Sequence, residues 1–146
     1  MKISIASDHA GFNLKKDVVN WLKENEYEIM DFGTYSEDSV DYPDFAVPAA
    51  EAVSNKESDF GIVICGTGIG VSISANKVPG IRAANCCTAE MAKMARLHND
   101  ANVVAFGARL INFEIAKSIV TTFLETEFEG GRHIKRVEKI HNISGV

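Results

Sequence analysis

The stretch Asp59-Phe60-Gly61-Ile62-Val63-Ile64-Cys65-Gly66-Thr67-Gly68-Ile69-Gly70 decides how this chain is read. A short β-branched run ends in a cysteine, and the cysteine opens a loop with glycine at every second position. Uninterrupted apolar runs of this length mark buried strands of parallel sheets, which are covered on both faces. Glycines past such a strand let the backbone turn tightly and bring its N–H groups close to a ligand. A helix starting there adds orphan N–H groups and a dipole that favour an anion. The segment predicts strand, anion cradle and helix in succession, with a thiol at the joint. That thiol could act as nucleophile, base or metal ligand.

The same alternation extends in both directions. Upstream, Ile3-Ser4-Ile5-Ala6 reads as a strand, with Asp8-His9 and Gly11 just beyond it. Leu14, Val18, Trp21 and Leu22 then recur at helical spacing between Phe12 and about Glu24. Tyr27 to Phe32 predicts a second strand closed by Gly33, and a loop through Asp41-Tyr42-Pro43-Asp44 leads to an alanine-rich helix over Phe45 to Val53. Downstream of the glycine loop a helical run reaches about Asn76, and Pro79-Gly80 turns the chain into a strand over Ile81 to Cys86. Thr88 caps a helix to about Leu97. His98-Asn99-Asp100 interrupts before a fifth strand, Asn102 to Phe106. Asn112 caps a helix carrying Ile115, Ile119 and Phe123, and Gly130-Gly131 precedes a basic helix from Arg132 to about His141. The pattern predicts a three-layer α/β/α sandwich around a five-stranded parallel sheet. No repeat, low-complexity tract or linker divides it, so residues 1–146 read as one domain.

Composition narrows the classes. At 146 residues the chain can bury roughly two-thirds of its unfolded surface. A net charge of −5 argues against a nucleic-acid surface, which needs a basic stripe, while a few arginines still suffice for a small anion. No apolar run approaches the roughly 18–20 residues of a membrane span, so no membrane partner is expected. The first residues run straight into strand-like sequence without a signal-peptide layout. Cys65, Cys86 and Cys87 form neither a C-x-x-C pair nor a disulfide framework. A cytoplasmic location is the expectation.

Open α/β sheets bind ligands outside the carboxyl ends of their strands. Asp8, His9, Cys65 and the glycine loop are expected there, with His98 and Arg109 flanking the fifth strand on the same edge. A dinucleotide fingerprint needs a third glycine where Val71 stands, and no lysine completes a P-loop, so both nucleotide readings fail. What remains is a tight turn or a small-anion cradle. Cys65 alone would read as a small buried hydrophobe; the helix start beside it favours a reactive thiol. Cys86 and Cys87 read as packing residues. His9 and His98 suit proton transfer near neutral pH, and Asp8 could orient an imidazole or bind a hydroxyl. Arg132 and Arg136 are spaced for one helical face and could grip a phosphate, with Arg109 as a third arm. His133 and His141 receive no role. No spacing matches a metal site.

Taken together, Asp8-His9-Ala10-Gly11-Phe12, Asp41-Tyr42-Pro43, Cys65-Gly66-Thr67-Gly68-Ile69-Gly70 and Ala75-Asn76-Lys77 resemble the type B ribose-5-phosphate isomerases. So do Arg96-Leu97-His98-Asn99-Asp100-Ala101-Asn102-Val103, Phe106-Gly107-Ala108-Arg109 and Glu129-Gly130-Gly131-Arg132-His133. The resemblance spans the chain in order. It implies a Rossmann-like fold and cofactor-independent interconversion of ribose 5-phosphate and ribulose 5-phosphate. It implies a homodimer with shared active sites, with a tetramer as the alternative assembly. Carried over, Cys65 is the base and the N–H groups of Gly66, Thr67, Gly68, Ile69 and Gly70 hold the enediolate. His98 opens the sugar ring with Asp8 assisting, and His9, Arg109, Arg132 and Arg136 hold the phosphate. Tyr42 and Asn99 contact the sugar, while Thr67 is either a hydroxyl beside the base or a turn residue. Members that use a glutamate base carry it where this chain has Val71, which points to the cysteine subclass. Allose-6-phosphate or galactose-6-phosphate isomerisation, or sugar-phosphate sensing without catalysis, are the competing functions.

Overall fold

The computed structural model describes residues 1–144. Strands β1 (Lys2–Ser7), β2 (Glu28–Asp31), β3 (Phe60–Cys65), β4 (Ala83–Asn85) and β5 (Val103–Gly107) form one sheet in the order β2-β1-β3-β5-β4. Every pairing is parallel. Helices α1 (Phe12–Glu24), α4 (Ala89–Asn99) and α5 (Phe113–Glu125) cover one face. α2 (Pro43–Ser54) and α3 (Ile69–Ala75) cover the other. A 3₁₀ turn, Gly131–His133, leads into α6 (Ile134–Ser144). The three-layer, Rossmann-like α/β architecture is the one that the hydrophobic pattern predicts.

Period-two alternation sorts the strand side chains between two cores. Ile3, Ile5, Ile62, Ile64, Val104 and Phe106 pack with Leu14, Val18, Leu22, Ile119 and Phe123 on the α1/α5 side. Ala6, Val63, Cys65, Val103 and Ala105 face the small residues of α2, Ala46, Ala49 and Ala50, and Val71 and Ala75 of α3. Those alanines bring α2 close enough for Ser4 Oγ to donate to the Ala49 carbonyl at 2.7 Å. Seven residues are too few for a helix to persist alone. α3 is held by Val71 and Ala75, which are 1% and 0% exposed, and so carries the glycine loop on a fixed base.

Several boundaries differ from expectation. α2 starts two residues early, because Pro43 at its first position lacks only an N–H that would go unused, and Asp44 favours the first turn. The fourth strand is shortened to three residues: at Arg82 the backbone N–H is taken by the Asn102 side chain at 2.8 Å. The terminal helix begins at Ile134, not Arg132, since Gly130 and Gly131 hold φ of 70° and 56° and the chain closes a 3₁₀ turn first. Arg132 therefore lies outside the helix that carries Arg136. Thr88 and Asn112 do cap α4 and α5, accepting from Met91 N at 3.2 Å and Ile115 N at 3.0 Å.

One charged pair locks β2 to α1. Lys15 is 2% exposed, its ammonium bonded to Asp31 Oδ1, which also accepts the Gly33 N–H at 2.9 Å. Asp31 keeps 31% of its side chain in water. The two partners are thus unequal. Asp31→Ala strands a buried ammonium and is expected to cost about 3 kcal/mol in urea unfolding, whereas Lys15→Met leaves a carboxylate that water still reaches and should cost about half as much or less. Equal losses would contradict this asymmetry.

Candidate active site

The direction of chain connection reverses between β1 and β3, the crevice where doubly wound sheets bind ligands. The segments leaving those strands meet there. Asp8 is buried, its Oδ1 accepting the Gly11 N–H at 3.0 Å while its own N–H donates to the Ile64 carbonyl at 3.1 Å. His9 Nδ1 accepts the Val40 N–H at 3.2 Å. With Nδ1 accepting, Nε2 is the ring's donor.

Cys65 ends β3 with 5% exposure, and its Sγ accepts the Gly68 N–H at 3.1 Å. Gly68 holds φ of 79°, and a Cβ there would lie 2.8 Å from the Phe106 carbonyl carbon, so the loop folds over β5 as only glycine permits. Gly66 and Gly70 leave room for side chains instead. A Cβ on Gly66 would sit 3.1 Å from Arg109 Nη1, and one on Gly70 2.7 Å from Tyr42 Cζ. Arg109 N and Ala108 N also bond to the carbonyls of Gly66 and Cys65, at 3.0 and 2.8 Å. The structure thus brings Asp8, His9, Tyr42, Cys65 to Gly70 and Arg109 to one edge. Thr67 Oγ1 accepts the Ile69 N–H at 3.3 Å. Two of the loop's five N–H groups, those of Gly68 and Ile69, are consequently engaged within the loop itself.

His98 and Asn99 lie elsewhere. They form the last turn of α4, which returns the chain to the amino end of β5. The Asn99 carbonyl accepts from Arg82 Nε at 3.0 Å, and Asn102 bonds Gly61, at the start of β3. The length of β3 separates this edge from Cys65, about 13 Å at roughly 3.3 Å per residue. The expectation that His98 shares the carboxyl edge with Cys65 is therefore corrected: a residue preceding a parallel strand sits at that strand's amino end. Arg132 and Arg136 belong with His98, because Glu129 N bonds the Leu97 carbonyl at 3.1 Å and ties the 3₁₀ turn to α4. Both arginines, and Asn99, are exposed. One chain carries two groups of candidate residues on opposite edges of its sheet.

Residues 3–140 match the ribose/galactose isomerase family. The chain belongs to that family. It is 50% identical over 139 residues to ribose-5-phosphate isomerase B of Escherichia coli K12, covering 95% of this chain and 93% of that protein. The solved structure of Clostridium thermocellum ribose-5-phosphate isomerase B superposes with a TM-score of 0.98 at 56% identity, covering 99% of this chain and 98% of that one. The Mycoplasma genitalium isomerase B, solved with bound ribulose 5-phosphate, superposes at 0.93 with 42% identity, covering 99% and 96%. As a family member the chain is an isomerase of the aldose–ketose type.

The isomerase also contains residues around His98 to which the sequence reading gives no part. Arg96, 7% exposed, donates to the carbonyls of Thr126 and Ala101 and to Asp100 Oδ1, at 3.1, 2.6 and 2.8 Å, and lies 4.9 Å from the Phe60 ring. Asp100, at φ 45°, also binds Arg82 at 3.1 Å. This network anchors the end of α4. His133 is buried with its ring stacked on His98, centroids 4.5 Å apart and planes 13° apart. Glu129 Oε2 lies 3.8 Å from His98 Nε2 and 3.6 Å from His133 Nε2. Arg96–Asp100 and Glu129–His133 are both i, i+4 pairs, a signal present in the sequence. The His98, Glu129 and His133 donor atoms fall within 4.8 Å of one another. Metal-bound imidazoles must aim in-plane lone pairs at one point, which near-parallel stacked rings do not. Burial pushes His133 below the usual imidazole range, helped by His98, Arg132 and Arg136 and opposed by the Glu129 carboxylate. Burial pushes the Cys86 thiol up to about 11, with Cys87 adding to it, which suits a packing residue.

Among the described residues no helix is long and apolar enough to cross a membrane.

Proposed function

We propose that this isomerase, acting as one domain in the cytoplasm, interconverts ribose 5-phosphate and ribulose 5-phosphate through a cis-enediolate, with Cys65 as the base. The observation that carries the reading is the seat of Cys65: a sulfur at the switch-point crevice that accepts a backbone N–H of the glycine loop, with Arg109 against Gly66 and Tyr42 against Gly70 of that loop. Relatives named for ribose 5-phosphate, one holding ribulose 5-phosphate, support the substrate.

The chemistry follows from the groups. In the open-chain aldose, Cys65 takes the proton from C2, and electrons move through the C1 carbonyl to give an enediolate. Returning the proton to C1, while the O2 proton passes to O1, yields the ketose. Negative charge develops on oxygen, and fixed N–H donors facing it are worth about 3–4 kcal/mol each in other enzymes. The N–H groups of Gly66, Thr67 and Gly70 are the donors proposed here, while the Gly68 N–H faces the sulfur. His9 donates its Nε2–H to the phosphate, and Arg109, Arg132 and Arg136 supply guanidinium forks. Phosphate is remote from C1 and C2, so this grip orients the reacting carbons. His98 moves the proton that opens the furanose, Asp8 assists, and Tyr42 and Asn99 line the sugar.

His98, Asn99, Arg132 and Arg136 reach this crevice only from another copy. The proposed enzyme is a homodimer, in which the amino edge of one chain completes the carboxyl edge of its partner. Purified protein is expected to convert ribose 5-phosphate to ribulose 5-phosphate in the presence of EDTA, and faster than it converts allose 6-phosphate or galactose 6-phosphate. Preference for a six-carbon substrate would reassign the specificity. Binding without C2 deuterium exchange would make the protein a sensor.

A further inference from the structure

Beyond the residues so far given roles, we infer that His133 and Glu129 are positioning residues for His98, one as a stacked wall and the other as a shared carboxylate, so that together they hold the ring-opening imidazole in its working orientation. The inference rests on the proposed role of His98.

His98 needs such support. It is on the last turn of α4 with 39% of its side chain exposed, where an imidazole would sample several rotamers. His133 removes that freedom from one side. Its side chain is itself buried, only 9% exposed, and the His133 backbone N–H donates to the Gly130 carbonyl at 3.0 Å. Lying 4.5 Å from His98 at 13°, it covers the imidazole face and leaves the ring edge, where both nitrogens are, open to chemistry.

The carboxylate completes the device. Glu129 Oε2 is within ion-pair range of both Nε2 atoms, just beyond direct hydrogen-bond length. Its backbone is pinned to α4 through the Leu97 carbonyl, so wall, carboxylate and His98 move together. Ring opening makes His98 alternate between neutral and charged forms. Two stacked imidazolium rings would repel, and burial, followed by His98, Arg132 and Arg136, pushes His133 below the usual imidazole range against the opposing Glu129 carboxylate. A charge formed on His98 during ring opening lies 3.8 Å from the Glu129 carboxylate, which can offset it. Phenylalanine would supply the wall, but only an imidazole also offers a nitrogen edge to the carboxylate. Arg136, from α6, and Arg132 are the other charges facing the pair.

Ribulose 5-phosphate provides the test. Its C5 oxygen carries the phosphate, so it has no furanose form, and exchange of its C1 proton in D2O reports proton transfer without ring opening. The parent protein is compared with His133→Ala, His133→Phe and Glu129→Gln. Forward turnover of ribose 5-phosphate by His133→Ala is expected to fall about tenfold in kcat, the scale of a modest misplacement of a reacting group. C1 exchange should stay within about twofold of the parent, since a positioning loss confined to His98 leaves the other chemistry in place. His133→Phe, which preserves the wall and folds if alanine does not, should lose less than His133→Ala, and Glu129→Gln should slow only the forward reaction. Equal losses in both assays would reduce the pair to a structural role, and unchanged forward rates would overturn the inference outright. His98→Asn separates the two levels. If it slows the forward reaction while the His133 and Glu129 variants do not, the inference alone fails. If it leaves the forward rate intact, the role of His98 and the inference fall together.

Discussion

Cys65→Ala is expected to lower ribose 5-phosphate turnover by about 10²–10⁴-fold, the usual contribution of a positioned acid–base group. The loss should appear equally in C1 proton exchange from ribulose 5-phosphate, because both directions pass through the same proton transfer. Stability should change little. Cys65 is buried in the small-residue core beneath α2 and α3, and removing one sulfur from such a site costs about 1–2 kcal/mol. A thermal shift of several degrees with a cooperative transition is therefore compatible with the proposal, and unfolding is not expected. Cys65→Ser keeps the size and can still accept the Gly68 N–H, but an alcohol is a far weaker acid than a thiol. It should be nearly as slow as alanine. If either variant retained the parental rate, the base would have to be another group, and Asp8, at the neighbouring strand end, would be the first to test.

The difference between the two edges shows what a linear chain makes legible. A β-branched run followed by Cys65 and alternating glycines specifies strand, loop and helix locally, because buried parallel strands and positive-φ turns impose their own composition. The structure follows that reading almost residue for residue from Phe60 to Ala75. Strand order is different in kind. Nothing in β4 or β5 announces that β5 inserts between β3 and β4, because both are short apolar runs and their placement depends on packing. His98 illustrates an intermediate case. Its position before a strand implies the amino edge, whereas the sequence expectation set His98 and Arg109, which flank the fifth strand, on one edge. Arg132 and Arg136 sit at helical spacing, yet the paired glycines divert the first into a 3₁₀ turn. The stacked His133 had a readable partner in Glu129, four residues earlier. Its partner His98 is thirty-five residues away, and no local rule connects them.

That separation leads to the most discriminating expectation. Cys65→Ala and His98→Asn should each be nearly inactive alone, and mixing them should restore activity. In a homodimer whose sites each take Cys65 from one chain and His98 from the other, a mixed dimer places both defects in one site and leaves its second site intact. Random reassortment makes half of the dimers mixed, so co-refolded equimolar variants should recover about a quarter of parental turnover. Sites built within one chain give the opposite result, since every site then carries one defect and mixing restores nothing. The chain's own geometry motivates the first outcome. Cys65 ends β3, His98 precedes β5, and the two strands are adjacent and parallel, so their functional ends face away from each other. Bringing Sγ and imidazole to one sugar within a single chain would require α4 to abandon the Arg96–Asp100 network that anchors it, including a charge buried to 7% exposure. Breaking such a buried pair costs about 3–5 kcal/mol, comparable with much of a small domain's stability. A second chain supplies the missing edge without that cost. Recovery of activity in the mixture, together with its absence when each variant is refolded alone, would establish the shared site; absence of recovery in a verified mixed dimer would refute it.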